Sequence, residues 1–309
     1  MGKQVTELDA LPSFTDTSLL PVHNGAGLKK GQLSQLVSYL GNKFRNPNLL
    51  INPDFKINQR GDTSYESASS TTIKNVYSVD RWSLYGHKLA VNSDKSITLS
   101  PTSYSNGTFS QILEDAVEGD VTIQVYVAGI SGSATVLVTQ SDGTATSNVG
   151  NLKNGLNVFH FNKGIKKLYI RVLSGTLTLK YAKVEQGTVA TPFITPNPAE
   201  ELVKCERFLL FTPSSMVGYR FDSYIYVYLE KLKNMRTNGT CSVRGINNDT
   251  SLLANGEGQS GVILGSGISV SKDKQFIRID VKNISTSFKT KVLGIDMNKT
   301  DIIIDSEIY

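Results

Sequence analysis

Four runs between Val121 and Tyr181 alternate apolar and polar residues, and this alternation constrains the fold more than any other feature. Val121-Thr-Ile-Gln-Val-Tyr-Val127, Ala134-Thr-Val-Leu-Val-Thr139, Leu168-Tyr-Ile-Arg-Val172 and Leu177-Thr-Leu-Lys-Tyr181 all show period two. A period of two puts alternate side chains on opposite faces of a strand, so each run predicts one buried and one solvated face. Gly129, Gly132, Gly143, Gly150, Gly155, Gly164 and Gly175 fall between or beside these runs, where turns need glycine. Short strands at this spacing predict a jelly roll or β-sandwich over residues 47–187.

A second β region is expected over 205–309. Tyr224, Tyr226 and Tyr228 alternate there, Ile277-Arg-Ile-Asp-Val281 does the same, and Ile302-Ile-Ile-Asp-Ser-Glu-Ile-Tyr309 reads as a terminal strand. This region is expected to be a second, C-terminal β-sandwich domain. Between the two, Pro192, Pro196 and Pro198 predict a stiffened linker over 188–204. Pro198-Ala-Glu-Glu-Leu-Val-Lys204 then opens a short helix with its acids at the favourable end of the dipole. With 309 residues there is room for both domains and an attachment segment.

Residues 1–46 have a different character. Pro12 and Pro21 punctuate Leu11–Val22 and favour extended or turn geometry, and Gly25 and Gly27 supply a turn. From Gln32 to Phe44, the apolar residues Leu33, Leu36, Val37, Leu40 and Phe44 recur at helical spacing. A lone helix of that length is marginal in water, so its stripe must pack against something. Leu19, Leu20 and the stripe are therefore read as an anchor that docks on a partner or closes a symmetry axis. Packing back on the chain's own domain is the other reading.

The composition narrows the function. Charged residues make up 19% of the chain and the net charge is +5, spread along its length. Nucleic-acid binding would show a denser basic stripe or a known module, so none is expected. No apolar run is long enough to cross a bilayer, and Met1-Gly-Lys-Gln-Val-Thr-Glu7 lacks a hydrophobic export core. Cys205 and Cys241 define neither a disulfide framework nor a zinc site, and are read as buried free thiols.

Catalysis finds little support. His23, His87 and His160 are the only histidines, and none sits in a zinc-protease motif. No nucleophile elbow or phosphate loop is present. Glu114, Asp115, Glu118 and Asp120 crowd before Val121, which suits a solvated turn, a calcium site or, least, a carboxylate pair. No enzyme activity, cofactor or catalytic residue is assigned. Aromatic residues remain the candidates for sugar binding: Tyr85, Tyr104 and Phe109 in the first β domain, and Tyr219, Phe221, Tyr224, Tyr226 and Tyr228 in the second. Trp82 is read as core. Asp80 and Arg81 could pair around it, while Gln59 and Arg60 tie the first strand to a neighbouring loop.

Four stretches carry a family resemblance. Asn48-Leu-Leu-Ile-Asn-Pro-Asp-Phe-Lys-Ile-Asn-Gln-Arg-Gly61 is followed by Tyr77-Ser-Val-Asp-Arg-Trp82. Lys183-Val-Glu-Gln-Gly-Thr-Val-Ala-Thr-Pro-Phe193 comes later, just before Glu200-Glu-Leu-Val-Lys-Cys-Glu-Arg207. Together they resemble jelly-roll modules of bacteriophage fibre proteins and of some cell-wall proteins. The resemblance implies a virion fibre on tail or head, assembled in the host cytoplasm and bound to the virion through its N-terminus. It further implies a homotrimer that contacts host-surface glycans. A bacterial cell-surface carbohydrate-binding module and a capsid decoration fibre without a ligand are the alternatives.

Overall fold

The computed structural model describes residues 46–67, 75–102 and 106–210 with their side chains. Elsewhere it describes the backbone of strands at 19–23 and 28–32 and between 211 and 305, with the side chain of Tyr228. The described part is all-β apart from one helix, as the alternation predicts. At the N-terminal end β1 (Leu19–His23) pairs antiparallel with β2 (Leu28–Gln32). Leu19 and Leu20 thus lie on a hairpin strand, and β2 reaches Gln32, where a helix was expected to begin. Leu33, Leu36, Val37, Leu40 and Phe44 lie outside the described residues.

Ten strands build the central module: β3 (Ser64–Glu66), β4 (Val76–Tyr77), β5 (Ser83–Tyr85), β6 (His87–Val91), β7 (Ile97–Pro101), β8 (Thr108–Val117), β9 (Val121–Thr139), β10 (Thr146–Asn151), β11 (Gly155–Phe161) and β12 (Ile165–Gln186). The two longest, β9 and β12, pair antiparallel from Lys167–Thr139 to Gln186–Val121. They bend halfway and so belong to two layers. The first layer runs β4–β5–β8, then the first half of β12, the second half of β9, and β10. The second runs β3–β6–β7, then the second half of β12, the first half of β9, and β11.

The bend is built from glycine. Gly132 and Gly175 face each other across the pair with φ of 92° and 72°. A Cβ on Gly175 would sit 1.7 Å from the Ser131 carbonyl oxygen, and one on Gly132 would sit 2.3 Å from that of Ser174. Only glycine allows both the left-handed backbone and the approach of the two chains.

The core lies between the layers. Val121, Ile123, Val125 and Val127 from β9 and Leu168, Ile170, Val172, Leu177 and Leu179 from β12 all point into it. Trp82 is fully buried, stacked on Phe109 at 4.6 Å with Phe55 edge-on at 5.2 Å. Both the core reading of Trp82 and the exclusion of Phe109 from ligand contact follow from this packing.

The first resembled stretch turns out to be wiring. Asn52 donates through Nδ2 to the carbonyls of Ile57 and Asp80, accepts the Ile57 N–H at Oδ1, and offers its own carbonyl to Trp82 Nε1. Asn48 bridges Ala182 and Val184 of β12. Asp80 accepts both the Gln59 N–H and Nε2, and Gln59 Nε2 also reaches the Leu209 carbonyl, so the tie expected of Gln59 exists. Arg60 lies 3.9 Å from the same carboxylate. Arg81 has φ of 71°; it donates to the Ile112 carbonyl and lies 3.6 Å over the Phe208 ring, just past the helix end.

Helix α1 (Pro198–Glu206) starts as its sequence predicts: Asn197 caps it, Pro198 follows, and Glu200 and Glu201 lie in the first turn. Glu201 accepts the Asn52 N–H at 2.6 Å, and Arg207 forms a two-point ion pair with Glu114. Cys205 is buried and packed with Ile51 and Phe208; the side chain of Cys241 lies outside the described residues.

Beyond the helix, β13 (Leu209–Phe211), β16 (Thr240–Gly245) and β21 (Thr300–Asp305) form a three-stranded sheet. A closed barrel is made by β14 (Ser215–Phe221), β15 (Tyr224–Tyr228), β17 (Ser251–Gly256), β18 (Gln259–Ser271), β19 (Phe276–Lys282) and β20 (Val292–Asp296). From Leu209 onward the described residues of this region are strands, as expected, and six of these strands pair into a closed barrel.

Candidate functional site

On the outer face of the second layer three register pairs set the site. Thr122, Gln124 and Tyr126 of β9 stand opposite Glu185, Lys183 and Tyr181 of β12. Glu185, Lys183 and Gln124 are polar yet almost fully buried, because the segment after β12 folds back over them. Thr191 donates its N–H to Glu185 Oε1 at 2.8 Å and its hydroxyl to Oε2 at 2.5 Å. Lys183 Nζ reaches Glu185 Oε2 at 2.9 Å, the Thr191 hydroxyl at 2.5 Å and the Thr191 carbonyl at 2.9 Å. Gln124 Nε2 completes the set, donating to Glu185 Oε1 and the Thr191 carbonyl, each at 2.7 Å.

This network explains the Lys-x-Glu…Ala-Thr-Pro-Phe spacing. Alternation places Lys183 and Glu185 on one face, and the backbone and hydroxyl of Thr191 satisfy both charges, which burial requires. The segment expected as a linker is therefore strapped to the sheet at Thr191. Two residues on, Phe193 stacks on Tyr181 with ring centres 3.9 Å apart and planes 6° from parallel. Tyr126 continues the row, 5.4 Å from Tyr181.

Phe193 and Tyr181 form the aromatic side of an open cleft of about 320 Å³ lined also by Asp54, Lys56, Asp94, Lys95, Ser96, Lys180 and Thr195. A hollow of about 210 Å³, lined in part by Asn48, Lys183 and Ile194, lies on the other side of Phe193. Asp54 is buried and its Oδ2 lies 2.7 Å from Lys56 Nζ. This contact is an ion pair off the hydrogen-bonding direction, and no hydrogen bond reaches that oxygen among the described residues. Asp94 sits in a tight turn where the Ser96 hydroxyl and N–H both donate to Oδ1, at 2.5 and 3.1 Å. The Ser96 hydroxyl, then its N–H, holds the Asp94 carboxyl below the usual carboxylate range, with Lys180 adding to the effect. Burial, then the neighbouring Tyr126, pushes the Tyr181 phenol up. A carboxylate held ionised is a hydrogen-bond acceptor and a poor proton donor, so the cleft is equipped to bind hydroxyl groups.

Among the described residues, no candidate named from sequence lines this cleft. Tyr85 ends β5 in the first layer, away from the cleft, and its carbonyl accepts from His87 Nδ1 at 3.1 Å. Tyr104 lies outside the described residues. Tyr219 is the register partner of Tyr226 in the barrel, Tyr224 partners Phe221 and Asp280, and Tyr228 is 66% exposed. Tyr181 and Phe193, which line the cleft, and Tyr126 beside them were not among the residues named from sequence. The signal was present, since Phe193 ends the closing motif, but neither that motif nor the alternation says which ring borders a cleft. In the acidic cluster Glu114 pairs with Arg207 and Glu118 accepts from Ser141. No group of three or more metal-ligating side chains stands together among the described residues.

No protein-family model matches the chain, and no curated protein does. Among solved structures, a carbohydrate-binding module of family 29 matches at 13% identity over 36% of this chain and 83% of its own, with a TM-score of 0.28. Two variants of such a module, one complexed with mannohexaose and one with cellulohexaose, both match at 12% identity over 46% of this chain. They are covered over 92% and 89% of their own lengths, with TM-scores of 0.30 and 0.29. Likeness of this extent carries no argument about what the chain binds.

Proposed function

We propose that the chain is a non-catalytic glycan-binding protein whose central module takes a saccharide in the cleft beside Phe193. The observation that carries this reading is the strap: a buried ion pair and its hydrogen bonds fix an aromatic ring at the edge of an open, polar cleft. A rigid ring covers the apolar face of a pyranose at little entropic cost, while Asp54, Asp94, Lys180 and Ser96 offer acceptors and donors to its hydroxyls. The wider setting, a bacteriophage fibre on tail or head, trimeric and docked through residues 1–46, is supported by the sequence resemblance over 48–61, 77–82, 183–193 and 200–207.

The test is calorimetric titration of the full chain with neutral oligosaccharides and with neutral host-surface polysaccharide. Phe193→Ala should weaken the binding at least tenfold, about 1.4 kcal/mol, while the emission of Trp82 shows the core unchanged. Absence of any glycan binding, or full binding by the variant, overturns the cleft as the site. Light scattering tests the fibre reading, which expects a native mass near three chains.

A further inference from the structure

The outer face of the first layer carries a second set of groups that the cleft does not use. Leu168, Ile170 and Val172 point into the core, so Lys167, Tyr169 and Arg171 point outward from the same strand. They are half-buried rather than free in solvent. Arg171 Nε is buried and has no hydrogen-bond partner among the described residues. Lys167 Nζ lies 4.9 Å from the centre of the Tyr169 ring, and burial draws the Lys167 ammonium below its usual range. Neither cation has an ion-pair partner among the described residues, whereas the half-buried Arg207 has one in Glu114.

The register partners on this face are neutral. Tyr169 stands opposite Leu137 and Ser110, Lys167 opposite Thr139 and Ile112, and Arg171 opposite Thr135. The β12–β8 register ends at the Ile170–Phe109 pair, and the next residue of β8, Thr108, pairs with Tyr85. The Tyr169 hydroxyl is tied to Thr139 at 2.9 Å, which fixes its ring on the sheet. Four residues along a strand separate the two cations by about 13 Å, too far for one carboxylate to touch both.

Partly desolvated cations without counter-charges are costly unless a ligand supplies the anion. We propose that this face is a second binding site, for a linear acidic saccharide with a carboxylate on successive sugars: Arg171 takes one carboxylate, Lys167 another, and the rings of Tyr169 and Tyr85 border the sugar between them. The site is distinct from the Phe193 cleft and stands whether or not the cleft binds sugar.

The experiment titrates oligogalacturonate and a neutral oligosaccharide of equal length into full-length wild type, Arg171→Gln, Lys167→Gln and Phe193→Ala, with Trp82 emission as the folding control. Oligogalacturonate should bind wild type, more weakly as salt is raised. Arg171→Gln should lose at least tenfold in affinity and Lys167→Gln several-fold, while Phe193→Ala stays within twofold. Should Arg171→Gln not fold, Lys167→Gln and the salt dependence decide. Unchanged binding in both cation variants, or its loss in Phe193→Ala alone, overturns this site and leaves the cleft standing. Binding of neutral sugar alone does the same, and binding of neither saccharide overturns both.

Discussion

Replacing Glu185 by Leu tests the strap that holds Phe193 in place. Its carboxylate accepts from Gln124 Nε2, the Thr191 N–H, the Thr191 hydroxyl and Lys183 Nζ, at 2.7, 2.8, 2.5 and 2.9 Å. Glu185 is fully buried and Lys183 is 2% exposed, so Leu at 185 leaves a cation in the protein interior with only Thr191, Pro192 and their carbonyls nearby. Breaking one side of a buried ion pair costs about 3–5 kcal/mol, which already contains the unpaired donors. Lys183→Met should cost a similar amount. The double variant removes both charges and should cost about 2–4 kcal/mol less than the two single losses added, because the stranded charge is gone. Trp82 is the chain's single tryptophan and is buried in the same module, so its fluorescence in urea reads this domain alone. The same variants should lose glycan affinity, since Phe193 is released from Tyr181. A loss below about 1 kcal/mol in Glu185→Leu, or additive single effects, would refute the strap as a buried ion-pair clamp.

Further outcomes follow from other sites. Gly175→Ala places a Cβ 1.7 Å from the Ser131 carbonyl at φ of 72°, so the bend must open; a loss above about 3 kcal/mol in urea unfolding is expected. His87 is fully buried, accepts the Val172 N–H at Nε2 and donates from Nδ1 to the Tyr85 carbonyl, which fixes the neutral ring. Burial lowers its pKa from 6.5, with the nearby Arg171 charge contributing. The unfolded chain therefore takes up the proton first, and stability present above pH 6.5 is lost as pH falls below it, at up to about 1.4 kcal/mol per pH unit until the folded ring also protonates. Unfolding midpoints between pH 7.5 and 5 check the sign, and His87→Gln should flatten the curve. Phe208→Ala removes a buried ring from beneath Arg81 and beside Cys205; about 3–5 kcal/mol is expected, read by Trp82 unfolding.

Much of the fold was legible in the chain, since alternation and glycine are local properties. Val121–Val127 and Leu168–Val172 bury the residues their period predicts, Pro198-Ala-Glu-Glu starts the helix, and Trp82 is core. Asn48, Asn52 and Gln59 were legible as a motif but not as wiring, because their partners lie up to about 150 positions away, at Val184, Asp80 and Leu209. The aromatic residues chosen from sequence were those dense in the chain, around Tyr224–Tyr228. The ring that borders the cleft, Phe193, stands alone in a proline-rich stretch.

Sequence by itself determined that this protein is built from strands, where they turn, and which face of each one is apolar, because period and turn chemistry act over a few residues. It also held the Lys183–Glu185–Thr191 spacing, without the reason for it. Tertiary structure decided that β9 and β12 bend at Gly132 and Gly175 to serve both layers, that the strap is pinned over buried charges, and that Phe193 meets Tyr181. It likewise decided that Arg171 and Lys167 share a face without an acid opposite them. Such outcomes depend on which distant groups are brought together and what water they exclude, and a buried charge has its meaning only once its partners are in place.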